Sequence, residues 1–342
     1  MSRKGPASQF FELNKGNIMT KRLSVYYFKG QDFWIRPQQF RDDMKRLKEA
    51  AVDSVYLPFH EADLRGGNLP FVADCVREAG MEVLITPSRV GALVAGWHRG
   101  VGYLSALHPE LWARREDGSP VDFFGPQLSV HHPDAPEAFA ETVAGLLKKS
   151  GANGLVWDEL KSLDTRDHCE AALKAHGGRA PSVEEQTVAT VAFFSKVNGL
   201  LRERFPELLL SLFLYGHLPE KFLVSTSQME HLDEFGCDGM VLRSDDPGQG
   251  DDPNKKLMSG HLDRFLDAAH TDGRRSYVLV ETQRLNAAGT EAMFQRLDEF
   301  FERPIDHITY YDYPHGLENP EEIQPRLAEA FKTWRLNERN PS

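Results

Sequence analysis

The chain has 342 residues, 41% hydrophobic and 27% charged, with a formal net charge of -11. The length suits one large α/β domain with a sizeable core, and the acidic balance argues against a general nucleic-acid binder. No apolar run approaches a membrane span, so no membrane partner is expected.

Residues 1–20 carry positive charge without the apolar stretch of a signal peptide, and they read as a tail ahead of one domain over residues 21–342. Cys75, Cys169 and Cys237 are odd in number and widely spaced, with no disulfide framework and no zinc spacing. A reducing, cytoplasmic setting is the expectation.

In chain order, LSVYYF (23–28) is the first strand-like run, followed by a helix over 36–52 with Phe40, Met44, Leu47 and Ala51 at helical spacing. SVYLPF (54–59) leads to a helix over 71–80, and EVLITP (82–87) to a long segment and a helix over 135–151, both helices closing on Gly. GLVWD (154–158) precedes a helix over 183–205. LLLSLFLY (208–215) precedes a short helix near 227–236, and DGMVLR (238–243) a helix over 261–270. SYVLVE (276–281) and HITYYD (307–312) each precede a last helix, over 291–303 and 321–336. Eight strands, each followed by a helix, predict parallel pairing with right-handed crossovers and a single (β/α)8 barrel with long loops after strands three and four. An open doubly wound sheet is the alternative. No strand leads into GxGxxG or GxxxxGK[ST], so no nucleotide cofactor is expected.

Barrel enzymes place their site where the strands end. The residues following each run are therefore the candidates. They are His60 after strand two, Arg89 after strand three, Asp158 and Glu159 after strand four, and Tyr215 and His217 after strand five. Arg243, Asp245 and Asp246 follow strand six, Glu281 follows strand seven, and Tyr311, Asp312 and Tyr313 follow strand eight. The loop 88–133 is rich in aromatic residues, Trp97 and Trp112 among them, and should pack as one wall of a cleft. Two carboxylates can divide acid and base labour across a glycosidic bond, and a neighbouring negative charge raises a carboxyl pKa. Asp158 beside Glu159, with Glu281 after the apolar run YVLV, fits that chemistry. His108, His131 and His132 read as loop histidines, because adjacent side chains diverge, and no metal is expected.

At Glu159 in VWDEL and Glu281 in VLVETQ the sequence resembles the clan of barrel glycoside hydrolases that keep the acid/base Glu after strand four and the nucleophile Glu after strand seven. The segment HPELWARREDGSPVDFFGP (108–126), ahead of GLVWDE, is similar to little-characterised glycosidase-like barrels. The resemblance implies a retaining glycosidase acting on a carbohydrate. Glu159 would be the acid/base, Glu281 the nucleophile and Asp158 the supporting acid, with the other candidates binding sugar. The chain departs from the clan at Asp158, where an Asn is usual, at Arg243, where a Tyr is usual, and at Tyr311 or Tyr313, where a Trp is usual. A rival resemblance, to barrel α-galactosidases, makes Asp158 the nucleophile and Asp245 or Asp246 the acid. A carbohydrate-binding barrel without catalysis and a metal-dependent barrel hydrolase or isomerase are the other function classes.

Overall fold

The computed structural model describes residues 21–28, 36–96, 101–216, 218–239, 261–282, 287–313 and 320–337, with the side chain of Asp312 also outside the described set. Eight parallel strands close in chain order: β1 (Arg22–Tyr27), β2 (Ser54–Phe59), β3 (Glu82–Pro87), β4 (Gly154–Asp158), β5 (Leu209–Tyr215), β6 (Glu234–Gly239), β7 (Arg275–Glu281) and β8 (His307–Tyr313). The helices between and after them are α1 (Pro37–Glu49), α2 (Leu69–Glu78), α3 (Tyr103–Leu107), α4 (Ala135–Ser150), α5 (Glu170–Ala175), α6 (Val183–Arg204), α7 (Glu220–Ser227), α8 (Leu262–Thr271), α9 (Ala287–Phe301) and α10 (Pro320–Leu336). No helix among the described residues is long and apolar enough to cross a membrane.

The expected barrel is the observed one, with one displaced strand. β6 is EFGCDG rather than DGMVLR, and the helix expected near 227–236 lies earlier, as α7. The reason is charge. Phe235 and Cys237 face the helices, while Glu234 and Asp238 occupy the alternate, inward positions, so the strand lacks an apolar run.

Alternation sorts every strand. Outward residues such as Val25, Leu57, Ile85, Trp157, Leu212 and Val278 pack under the helices in one large core. Trp157, on β4, donates its indole N–H to Asn198 of α6 at 2.9 Å and lies against Phe139 and Phe194. Inward residues fill the barrel. Neighbouring strands are staggered by about one residue each, so inward side chains of alternate strands fall into common layers.

The floor layer of the even strands holds Glu234 and His307, joined at 2.7 Å and fully buried. Ser211 donates to Glu234 at 2.7 Å, Ser24 bonds the other ring nitrogen of His307 at 2.6 Å, and Arg275 lies 3.3 Å from Glu234. Above the floor come Tyr26, Tyr56, Tyr277 and Phe213, stacked or edge-on to one another. Gly236 lets the β6 and β7 backbones come close beside this layer: a Cβ there would sit 1.5 Å from the Tyr277 carbonyl oxygen. The next even-strand layer is Pro58, Asp158, Asp238 and Tyr311, and one step higher on the odd strands lie Phe28, Ser88, Tyr215 and Glu281.

Burial would raise the Glu234 carboxyl, but the His307 ring and the Arg275 and Arg22 charges hold it down at about 2. Burial pushes His307 below its ordinary value. A depressed carboxyl contributes stability above its unfolded value, about 4.3, and that stability is lost as pH falls toward about 2. The lowered His307 acts in the same direction below its ordinary value, since acid charges it more readily in the unfolded chain. Glu234→Gln should therefore lower stability at pH 7 by about 3 kcal/mol. It should also flatten the wild-type loss of stability between about pH 4.5 and 2. Urea unfolding at a series of pH values measures both, and an unchanged acid limb in the variant contradicts the account.

Candidate active site

Four acids meet at the C-terminal rim. Asp158 ends β4 on the inward face and is half-buried. Its carbonyl accepts from Ala95 N–H at 2.6 Å, which ties the loop after β3 to the end of β4. Beneath it, Thr86 donates to the Tyr26 hydroxyl oxygen at 2.9 Å. Burial first, and then the Asp158 charge, push the Tyr26 hydroxyl well above its ordinary value, which locates Asp158 beside that phenol.

Simple alternation would send Glu159 outward into the helix layer. Instead its backbone is left-handed, φ 48°, while its N–H still donates to Phe213 O at 3.1 Å. The carboxylate therefore lines the cleft, and Lys161 donates to it at 2.6 Å with both side chains under 10% exposed. Leu93 O accepts from Lys161 N–H at 2.9 Å, and the Lys161 ammonium stands 4.1 Å from the Tyr215 ring centre and 5.4 Å from that of Phe123. Asp238, 3% exposed, and Glu281, half-buried, complete the set from β6 and β7.

Together they line a cavity of about 160 Å3 with Phe28, Arg89, Ala95, Gly96, Phe213, Leu279 and Tyr311. Tyr311 packs against Phe28 and Tyr26, with centroids 5.2 and 5.3 Å apart, and gives the cavity an aromatic wall. Among the described residues no three His, Cys, Asp or Glu side chains are grouped to hold a metal ion. The acids are instead distributed around the rim on three strands.

Of the candidates from sequence, the cleft gathers Asp158, Glu159, Glu281, Arg89 and Tyr311, and Tyr215 stands next to it through Lys161. Two candidates are placed elsewhere. His60 caps the short turn Glu61–Leu64: its Nδ1 accepts from Ala62 N–H at 3.2 Å, and its own N–H donates to Asp63 at 2.9 Å. Tyr313 lies on the outer face of β8, stacked on Tyr27, and its hydroxyl donates to Asp43 of α1 at 3.3 Å. Trp97, His217, Arg243, Asp245, Asp246 and the side chain of Asp312 lie outside the described residues.

Asp238 and Phe28 were not among the candidates. The pattern E-F-G-C-D-G, apolar at every second position, was the available signal for the first. The loop after β3 does supply cleft wall, but through Arg89, Ala95 and Gly96. Trp112 packs away with its indole N–H on Ser105 O at 2.6 Å, and Tyr103 lies under Arg65.

Removing one partner of a buried ion pair leaves the other charge uncompensated. Lys161→Met should cost about 3 kcal/mol of unfolding free energy. The double variant Lys161→Met/Glu159→Gln, which removes both charges, should recover most of it. A denaturant series on the three proteins checks this, and equal loss in single and double variants would show that the pair does not act as a unit.

No protein-family profile matches the chain, and no curated protein does. Solved structures do. The galactosidase domain of an alpha-galactosidase-sucrose kinase is similar with a TM-score of 0.57 and 13% identity, over 93% of this chain and 41% of that one. A beta-galactosidase from the Antarctic haloarchaeon Halorubrum lacusprofundi is similar with a TM-score of 0.61 and 14% identity, over 93% and 58%. The catalytic domain of beta-amylase from Paenibacillus polymyxa is similar with a TM-score of 0.58 and 14% identity, over 92% and 97%. The chain thus spans less than two thirds of the two galactosidase chains. At these identities the likeness is one of fold: a closed (β/α)8 barrel of the kind these glycoside hydrolases have.

Proposed function

We propose that the chain is a glycoside hydrolase that cleaves a glycosidic bond with two rim carboxylates, Asp158 and Asp238. The observation that carries this reading is their position: inward residues of β4 and β6 in one layer, on a small cleft with the aromatic wall of Tyr311 and Phe28. Asp158 is the nucleophile. It is the more exposed of the two, and it stands beside a phenol whose oxygen already accepts from Thr86, leaving the phenol proton for another acceptor. Asp238, only 3% exposed, carries the proton. It protonates the departing glycosidic oxygen while Asp158 bonds to the anomeric carbon. It then takes a proton from the water that releases the sugar, so configuration is retained. Glu159 is already engaged by Lys161, which suits it to hold geometry rather than to lend a proton.

A second reading keeps Glu281 as the nucleophile and a β4 acid as the proton donor, as the clan resemblance implies. The half-buried place of Glu281 on the same cleft favours it. The galactosidases and the beta-amylase that share this fold make galactosides and glucosides the first substrates to assay.

Single variants Asp158→Ala, Asp238→Ala and Glu281→Ala, assayed on aryl α- and β-galactosides and glucosides, separate the two. The first two should lose about 10^3-fold or more in kcat/KM, and azide should restore Asp158→Ala by forming a glycosyl azide. The third should lose less than about 10^2-fold. Azide rescue of Glu281→Ala instead would move the nucleophile to β7. Absence of turnover on every substrate, with retained oligosaccharide binding in calorimetry, would make the protein a carbohydrate-binding barrel.

A further inference from the structure

Within the loop after β3, residues 112–128 form a small antiparallel excursion, bridged at Trp112–Leu128, Arg114–Pro120 and Asp122–Pro126. At its end the turn Asp122–Gly125 is fixed on both sides: Phe123 N–H donates to Gly125 O at 2.9 Å, and Gly125 N–H to the Asp122 carboxylate at 3.1 Å. What this turn presents is two consecutive phenyl rings, edge to face at 4.7 Å. Phe124 is 41% exposed and has a left-handed backbone, φ 56°. A bulky residue in that conformation is uncommon and strained, and such strain collects where function requires it.

The rings are joined to the cleft by Arg89 and, at Phe123, also by Lys161. The Arg89 guanidinium lies 3.7 Å from the Phe124 ring centre and 5.5 Å from that of Phe123, and Arg89 itself lines the cleft from a left-handed backbone, φ 58°. Exposed Val101 packs on Gly125 and extends the apolar surface. Cleft, guanidinium and phenyl rings therefore form one continuous surface that leads from the acids outward. A phenyl held in a strained conformation and left 41% exposed forgoes part of the gain from burial, and a ring face of this kind suits the apolar face of a pyranose.

We infer that Phe123 and Phe124, carried on Arg89, form the leaving-group subsite of the cleft and stack a sugar ring of the departing portion of an oligosaccharide. This inference rests on the glycosidase reading. The subsite makes the natural substrate an oligosaccharide, with binding beyond the cleaved bond.

Phe124→Gly removes the ring while glycine adopts the left-handed backbone without strain, and Phe124→Tyr restores a ring. The two variants and wild type would be assayed on the α and β anomers of galactosyl and glucosyl fluoride, which have no leaving-group sugar, and on raffinose, lactose, maltotriose and cellotriose, which do. Phe124→Gly should raise KM for the cleaved oligosaccharide by about tenfold, leave the matching fluoride within about twofold, and be rescued by Phe124→Tyr. Equal effects on fluoride and oligosaccharide, or none on either, would overturn the subsite and leave the glycosidase reading standing. No turnover of any of these by wild type would overturn that reading and the subsite with it.

Discussion

Closure of the barrel is the constraint from which the rest follows. Eight parallel strands staggered by about one residue each leave no freedom over which side chains meet: every second residue faces inward, and alternate strands contribute to the same layer. The inner face consequently has three zones. Its floor is an ion network around Glu234 and His307, its middle is a set of tyrosines and Phe213, and its rim is acidic. The two charged zones carry different duties because the aromatic zone separates them. The floor acid is paired from within the barrel by His307, Ser211 and Arg275, whereas the rim acids open on a cavity.

Glu159 is the exception to alternation, and it accounts for the adjacent acids of VWDEL. Had the strand continued, Glu159 would have been a carboxylate in the apolar layer beneath the helices, where burial of an unpaired charge is prohibitive. The left-handed turn rotates it to the cleft, and Lys161 neutralises it there. Asp158 is thereby relieved of part of the like-charge repulsion. A buried ion pair of this sort gives little net stability, since desolvation offsets most of the attraction. Its contribution is geometric: Lys161 is tied through its backbone to Leu93, and its ammonium is set between Tyr215 and Phe123, so the end of β4 and the loop after β3 are held as one piece.

Much of this was legible in the sequence, for a physical reason. Strands buried on both faces read as apolar runs, so seven of the strands could be read directly, while closure is favoured by their number but not visible in the sequence. β6 could not be read so, because its inward positions are Glu234, Gly236 and Asp238, an acid for the floor network, a glycine set close against the β7 backbone and an acid for the rim. The stronger apolar run DGMVLR points to a strand four residues later, which would put Asp238 at the strand's start rather than near its rim end. Tyr313 misled in the opposite way. It follows Tyr311 by two residues and so shares its parity, but the register with β1 shifts in this region, and Tyr313 pairs with Tyr27 and turns to α1. His60 was a polar residue at a strand end whose task is capping a turn. Composition cannot distinguish that from a ligand contact, because both require the same donors and acceptors.

The fold by itself does not choose the catalytic pair. At 13% and 14% identity, galactosidases and a beta-amylase share this barrel, and the choice rests on which inward rim positions carry acids. Here β4, β6 and β7 all do, on a cavity of about 160 Å3. With Glu159 matched by Lys161, three further acids, Asp158, Asp238 and Glu281, line the cavity together with Arg89. Carboxyl groups held close together do not ionise as independent acids, and one keeps its proton when another has lost it. An acid-base mechanism requires that asymmetry: one carboxyl group kept protonated to assist departure, and another ionised to attack. On the proposed reading, the crowding of acids at the rim, a liability for stability, supplies both members of that pair.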